Sequence, residues 1–129
     1  PTEGQTMATI SDYVLDAALS TLDTEADRID ICSQEPTTYA AATSTYTLGN
    51  STSLSFGAPT DGDTSGRKVT AAAITDGSVT GTGTATHFAV VDVSATRLLA
   101  TGSLTSSQAV TSGNSFTLDA FDVEIPDPA

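Results

Sequence analysis

Between Leu22 and Arg28 the spacing of apolar residues changes from helical to alternating, and that switch constrains the fold more than any other feature of the chain. Before it, Val14, Leu15, Ala18, Leu19 and Leu22 recur at helical spacing and make one apolar face, with Asp16 and Ser20 off it. Ser11 is a suitable N-cap, and Asp12 places negative charge near the positive end of the helix dipole. The spacing therefore predicts one helix from about Ser11 to Leu22. After the switch, Arg28-Ile29-Asp30-Ile31-Cys32 alternates, isoleucines to one side and charges to the other, as a half-buried strand does.

The rest of the chain reads as short strands broken by turn residues. Pro36 ends the first strand. Tyr39 to Leu48 is a weaker strand candidate, with Thr45, Tyr46 and Thr47 suited to extended structure. Gly49-Asn50 reads as a turn, and Ser51 to Phe56 as a short strand with Leu54 and Phe56 inward. Gly57 to Gly66 is a loop by its Pro, Gly and Asp content. Lys68 to Ile74 resumes extended structure, and Asp76-Gly77 has the composition of a hairpin turn. Ser78 to Thr86 alternates Thr with Gly. His87 to Val93 is apolar on both faces, which predicts the central strand. Arg97 to Ser103 follows a Ser94-Ala95-Thr96 turn, and Leu104 and Val110 flank a polar hairpin region. Gly113-Asn114 is a further turn, before strands at Ser115 to Leu118 and Phe121 to Ile125. Ile29, Ile31, Phe88, Val90, Phe116, Phe121 and Val123 share the apolar phase of their strands and form the predicted core.

The fold expected is mainly β: a small antiparallel sandwich or barrel preceded by one N-terminal α-helix. Residues 1–9 read as a flexible arm, 10–125 as a single β-rich domain, and 126–129 as a tail after Pro126. Pro1 fits removal of an initiator Met, and no secretory signal is visible.

Charge excludes some functions. Four basic residues, Arg28, Arg67, Lys68 and Arg97, stand against 16 acids, for a net charge of -12. Nucleic acid needs clustered Lys and Arg to displace counterions, and anionic membrane surfaces need the same, so neither partner is expected. A partner must bring basic residues or a large complementary surface.

Residue chemistry offers few sites. His87 is the sole histidine, and a catalytic triad needs it beside a nucleophile and an orienting acid; in a central strand it reads as structural. Cys32 falls on the strand face of Arg28 and Asp30 and reads as an inert, partly buried thiol. Asp61, Asp63 and Ser65 stand two apart before Gly66, as in the first half of a calcium loop. The position expected to hold a bidentate Glu is Ala72. The acids Asp23, Glu25, Asp27 and Asp30 offer carboxylate pairs of the kind glycosidases use, but with no Trp to wall a sugar cleft they read as a solvated acidic edge. Tyr39 and Tyr46 are either a flat recognition surface or a cap on the core. The expectation is a protein that is not an enzyme, with no catalytic, cofactor-binding or metal-ligating residues.

Several segments taken together carry a family resemblance: Ile10-Ser-Asp-Tyr-Val-Leu-Asp, Ile31-Cys-Ser-Gln-Glu-Pro-Thr-Thr-Tyr39, Gly66-Arg-Lys-Val-Thr70, Ile74-Thr-Asp-Gly-Ser-Val-Thr-Gly-Thr-Gly-Thr-Ala-Thr-His-Phe-Ala89, Ala109-Val-Thr-Ser-Gly-Asn-Ser-Phe-Thr-Leu118 and Ala120-Phe-Asp-Val-Glu-Ile-Pro-Asp127. With these the chain resembles, over nearly its whole length, a family of small proteins encoded in the structural gene clusters of tailed bacteriophages and related prophages. The resemblance implies a virion component and transfers no catalytic residue. The first expectation is a capsid decoration protein, a homo-oligomer (a trimer) bound to the major capsid protein or another virion protein through symmetric repeated contacts. The alternative is a recognition module of a tail, fibre or head spike, touching the host surface through the loop Gly57 to Gly66. A polysaccharide hydrolase is disfavoured by size and by the missing aromatic cleft.

Overall fold

The computed structural model describes residues 9–127. The expected arm, save residue 9, and the last two residues of the expected tail lie outside the described residues.

One helix precedes the strands, as expected. Helix α1 spans Asp12–Glu25, one turn further than the apolar spacing predicts. Its last turn needs no apolar residue, because the backbone N–H of Ala26 donates to Leu22 O at 2.9 Å and Glu25 pairs with Arg97. Ser11 occupies the N-cap position, but its side chain makes no capping bond; its carbonyl accepts from the N–H groups of Val14 and Leu15. Leu15, Leu19 and Leu22 are buried, while Val14 and Ala18 are exposed, so the buried stripe is narrower than predicted.

All strand pairing is antiparallel, in two sheets that form a half-barrel. The larger sheet contains β1 (Arg28–Cys32), β2 (Thr47–Ser51), β5 (Ile74–Val79), β6 (Gly83–Asp92), β7 (Arg97–Val110) and β8 (Ser115–Leu118), in the order β7-β6-β1-β2-β5-β8. The smaller contains β3 (Thr60–Asp61), β4 (Arg67–Ala71) and β9 (Phe121–Ile125), in the order β3-β4-β9. The predicted core forms between them. Ile29, Ile31, Phe88, Val90 and Phe116 are buried with Leu19, Leu22, Val69 and Ile74, and Phe121 and Val123 pack against this cluster. The Phe88 and Phe121 rings, with centroids 4.2 Å apart, join the two sheets.

The central-strand expectation holds for β6. It is interior to the sheet, paired with β1 on one side and β7 on the other, and buried along its second half.

Several expected turns are strand. Gly49 and Asn50 lie within β2, facing Val79 and Ser78 of β5. A Cβ on Gly49 would collide with the Ser78 carbonyl, so the glycine serves close strand approach, not chain reversal. Asp76-Gly77 lies within β5, where the ring of Phe116 occupies the space a Cβ on Gly77 would need. The reversal comes later, at Thr80-Gly81-Thr82 between β5 and β6. The weak strand at Tyr39 to Leu48 is instead a π-helix over Ala41–Thr45, leading into β2. Ser51 ends β2, and beyond it Phe56 makes only an isolated bridge to Ala71, although Leu54 and Phe56 do pack on the core as expected. Leu104 to Val110 is no hairpin; β7 runs through it as one strand.

Strand β1 is not half-buried. Its second face carries a smaller cluster, Cys32, Ala42, Ala89 and Val91, with Tyr39, Tyr46 and Leu98 packed against it. The π-helix, contributing Ala42, covers the face that alternation alone assigned to solvent.

Candidate interaction surface

The residues singled out for chemistry do not converge. His87 is partly buried, and its Nδ1 lies 2.9 Å from Thr86 Oγ1. Cys32 is fully buried, with Sγ 3.6 Å from Ala42 O, and burial, reinforced by the nearby Asp30 charge, pushes its thiol up to about 12. A thiol held that high is not a nucleophile at neutral pH.

The calcium-like loop is already neutralised by the protein's own cations. Asp61 pairs with Arg67 at 2.7 Å and Asp63 with Lys68 at 2.6 Å. Ser65 Oγ accepts from the Asp127 N–H, and Glu124 accepts from the Asp63 N–H. No group of three or more metal-ligating side chains gathers among the described residues.

The acidic edge after the helix divides. Asp23 is exposed, Glu25 binds Arg97 at 2.7 Å, and Asp27 accepts from the Val93 N–H at 2.8 Å. Asp30, predicted to be solvated, is fully buried under the π-helix side of the sheet. Burial raises its pKa, opposed by the Thr47 hydroxyl at 2.7 Å and by Arg28, whose Nε lies 2.8 Å away. Tyr39 and Tyr46 cap the smaller core rather than form a flat exposed surface.

The geometry does organise charge. Each of the four cations is engaged by acids: Arg28 by Asp30, Arg67 by Asp16 and Asp61, Lys68 by Asp63 and Asp122, and Arg97 by Glu25. The acids outside these pairs set the sign of the field a partner meets.

Two surfaces offer apolar side chains among polar ones. One is the outer flank of α1 with the residue that leads into it, where Ile10 is 41%, Tyr13 83% and Val14 52% exposed. Helical spacing places Val14, Ala17 and Thr21 together on this flank, away from the acidic side bearing Asp12, Asp16 and Asp23.

The other is a cleft of about 210 Å³ between the middle of β7 and the β8–β9 connection. Phe88, Leu104, Leu118 and Phe121 supply its apolar lining; Ser103, Gln108, Thr117 and Asp119 are among its polar residues. A bulge in β7 makes its lip. Ser103 faces His87 and Gln108 faces Ala85, so Leu104 to Ser107 stand opposite Thr86 alone. Sequence reading missed this site. Leu104, a single large apolar residue within a run of Ser and Thr, was its one visible signal.

Comparison with protein-family models, with curated proteins and with solved structures finds no match, so the functional reading rests on this geometry and on the sequence.

Proposed function

We propose that this protein is a capsid decoration protein of a tailed bacteriophage, located in the virion and attached as a homotrimer to the major capsid protein. The observation that carries the reading is the outer flank of α1. Tyr13 and Val14 stand in solvent there, on a helix whose Leu15, Leu19 and Leu22 are used by the core. Such a patch marks a contact surface on a small acidic domain. The helix of 14 residues is about 21 Å long at 1.5 Å per residue. One such flank falls short of the roughly 800 Å² per partner of a stable pairwise interface. Repetition by symmetry supplies what a single contact lacks, which is how a lattice-bound protein is held. The paired cations leave a negative surface, which selects a partner carrying basic residues.

The test uses a Tyr13→Ser, Val14→Ser double variant, since both side chains are exposed and neither belongs to the buried core. Parent and variant are added to undecorated heads and retained protein is measured after pelleting. Retention falls for the variant while its melting temperature stays that of the parent; equal retention sinks the reading. Quantitative staining of purified virions separates head from tail, because a lattice protein is abundant and a fibre-tip protein is present in few copies.

A further inference from the structure

The larger sheet ends in two free edges that approach one another without pairing. Strands β7 and β8 are the terminal strands of the order, and among the described residues no strand lies on the outer side of either. They diverge from the Thr111–Asn114 turn, and what crosses between them is a side chain: Gln108 Nε2 donates to Thr117 O at 2.8 Å. Gln108 and Thr117 are also part of the lining of the cleft, together with Phe88 and Phe121. The β7 bulge stands at this point, and its four residues face one partner residue, so most of their backbone groups lie outside the ladder. Bulges of this kind re-aim backbone and side chains next to functional sites.

We infer that this wedge binds an extended peptide segment of another protein, which lays its backbone along the bulged lip of β7 and inserts one apolar side chain into the cleft. The size of the cleft decides against a larger ligand. At about 210 Å³ it is smaller than the roughly 300–1,000 Å³ of small-molecule sites and suits a single side chain. Strand addition at an exposed edge has this division of labour, with main-chain hydrogen bonds giving affinity and side-chain pockets giving specificity. Charge decides which segment. Asp119 is exposed at the rim, no cation of the described residues pairs with it, and all four cations are engaged elsewhere. A lysine or arginine flanking the apolar residue complements it. A second copy of this chain brings mainly acid, and its residues 1–8 contain Glu3 and no lysine or arginine. The inference stands on this geometry and does not depend on where the protein assembles.

The test is a backbone-amide NMR titration of the full chain with the peptide Thr-Lys-Thr-Leu-Thr-Lys-Thr. Two control peptides replace the leucine by serine or both lysines by glutamate. Saturable shifts are expected at Ser103 to Gln108 and Thr117 to Phe121 with the leucine–lysine peptide only. Ala120→Trp, at an exposed lining position, fills the cleft and abolishes them at unchanged melting temperature. Asp119→Lys weakens the lysine peptide by up to about five-fold, the scale of one exposed ion pair, and brings in the glutamate peptide. No saturable shift, or equal shifts from the serine peptide, overturns the inference. So do shifts of the same amides on simple dilution, which make a second copy the occupant, or on removal of residues 1–8, which make the chain's own arm the occupant.

Discussion

The two sheets put the same chemical groups to opposite use. In the larger sheet, β1 is covered on both faces, and its carboxylate, Asp30, is buried with Arg28 and Thr47. In the smaller sheet only one face is covered. Val69 and Ala71 point inward, while Lys68 and Thr70 point outward to Asp122 across the β4–β9 register. Burial raises the Asp30 pKa; the Thr70 hydroxyl and the Lys68 ammonium lower that of Asp122. A carboxylate in the first setting is costly unless its partners stay in place. In the second it is screened by water and contributes little. Carboxylates inside the larger sheet therefore bear on stability, and those on the outer face of the smaller sheet adjust surface charge.

The strongest break is expected where the sheets meet. Phe88→Ala empties a buried ring site and should cost about 3–5 kcal/mol by thermal or denaturant unfolding. Phe121→Ala, at a partly exposed ring, should cost less. Equal losses would mean that Phe121 is as fully packed as Phe88. Arg28→Ala should cost about 3–5 kcal/mol at neutral pH, because it strands the Asp30 charge. The sign with pH follows from the raised pKa. A carboxyl whose folded pKa lies above its unfolded value gains stability on protonation, so the Arg28→Ala loss should shrink as pH falls through that value. A loss that does not change with pH would remove Asp30 as its cause. Gly77→Ala, which drives a methyl into the Phe116 ring, should cost about 1–3 kcal/mol as an overpacking change. An unchanged melting temperature would mean that the Phe116 ring moves aside for the methyl group.

In the smaller sheet the effects should be slight. The depressed pKa of Asp122 means its contribution is present above the ordinary carboxylate range and is lost as pH falls through the lowered value. With its side chain 37% exposed, Asp122→Asn should change unfolding free energy by less than about 1 kcal/mol, and less again in high salt. A larger change would mean that this ion-pair group acts as a unit. Least of all, excess EDTA should leave the melting temperature unmoved, since Asp61 and Asp63 are already neutralised by Arg67 and Lys68. A drop that calcium reverses would overturn that assignment.

Much of the fold was legible where one periodicity held over a whole element. Leu15, Leu19 and Leu22 announced α1, and β6, β8 and β9 lie close to where their apolar phase put them. What misled was residue type read without its neighbours. Gly49 and Gly77 carry turn chemistry in a sequence, yet here they make room for a carbonyl and a ring supplied by distant strands. Asp30 alternates like a solvated residue, and only the π-helix, itself without a clear local signal, buries it. Polar β7 read as two pieces because its length is set by pairing along β6. The candidate surfaces were half visible: the helix stripe could be drawn, but which of its members faced outward could not, and the cleft needs residues from four strands.

The order of the strands also sets how the chain must fold. Strand β1 waits for β6, which begins more than fifty residues later, and β4 pairs with β9, the last strand of all. Neither sheet can be assembled from neighbouring segments alone. Each long-range pairing requires loop closure before any contact rewards it. Domains dominated by such pairings fold in milliseconds to seconds, well behind helical bundles of similar size. Until β9 arrives, β4 lacks a partner on one of its two edges, and the core lacks Phe121 and Val123. The slow step of folding thus leaves open the strand edge that the finished molecule covers last.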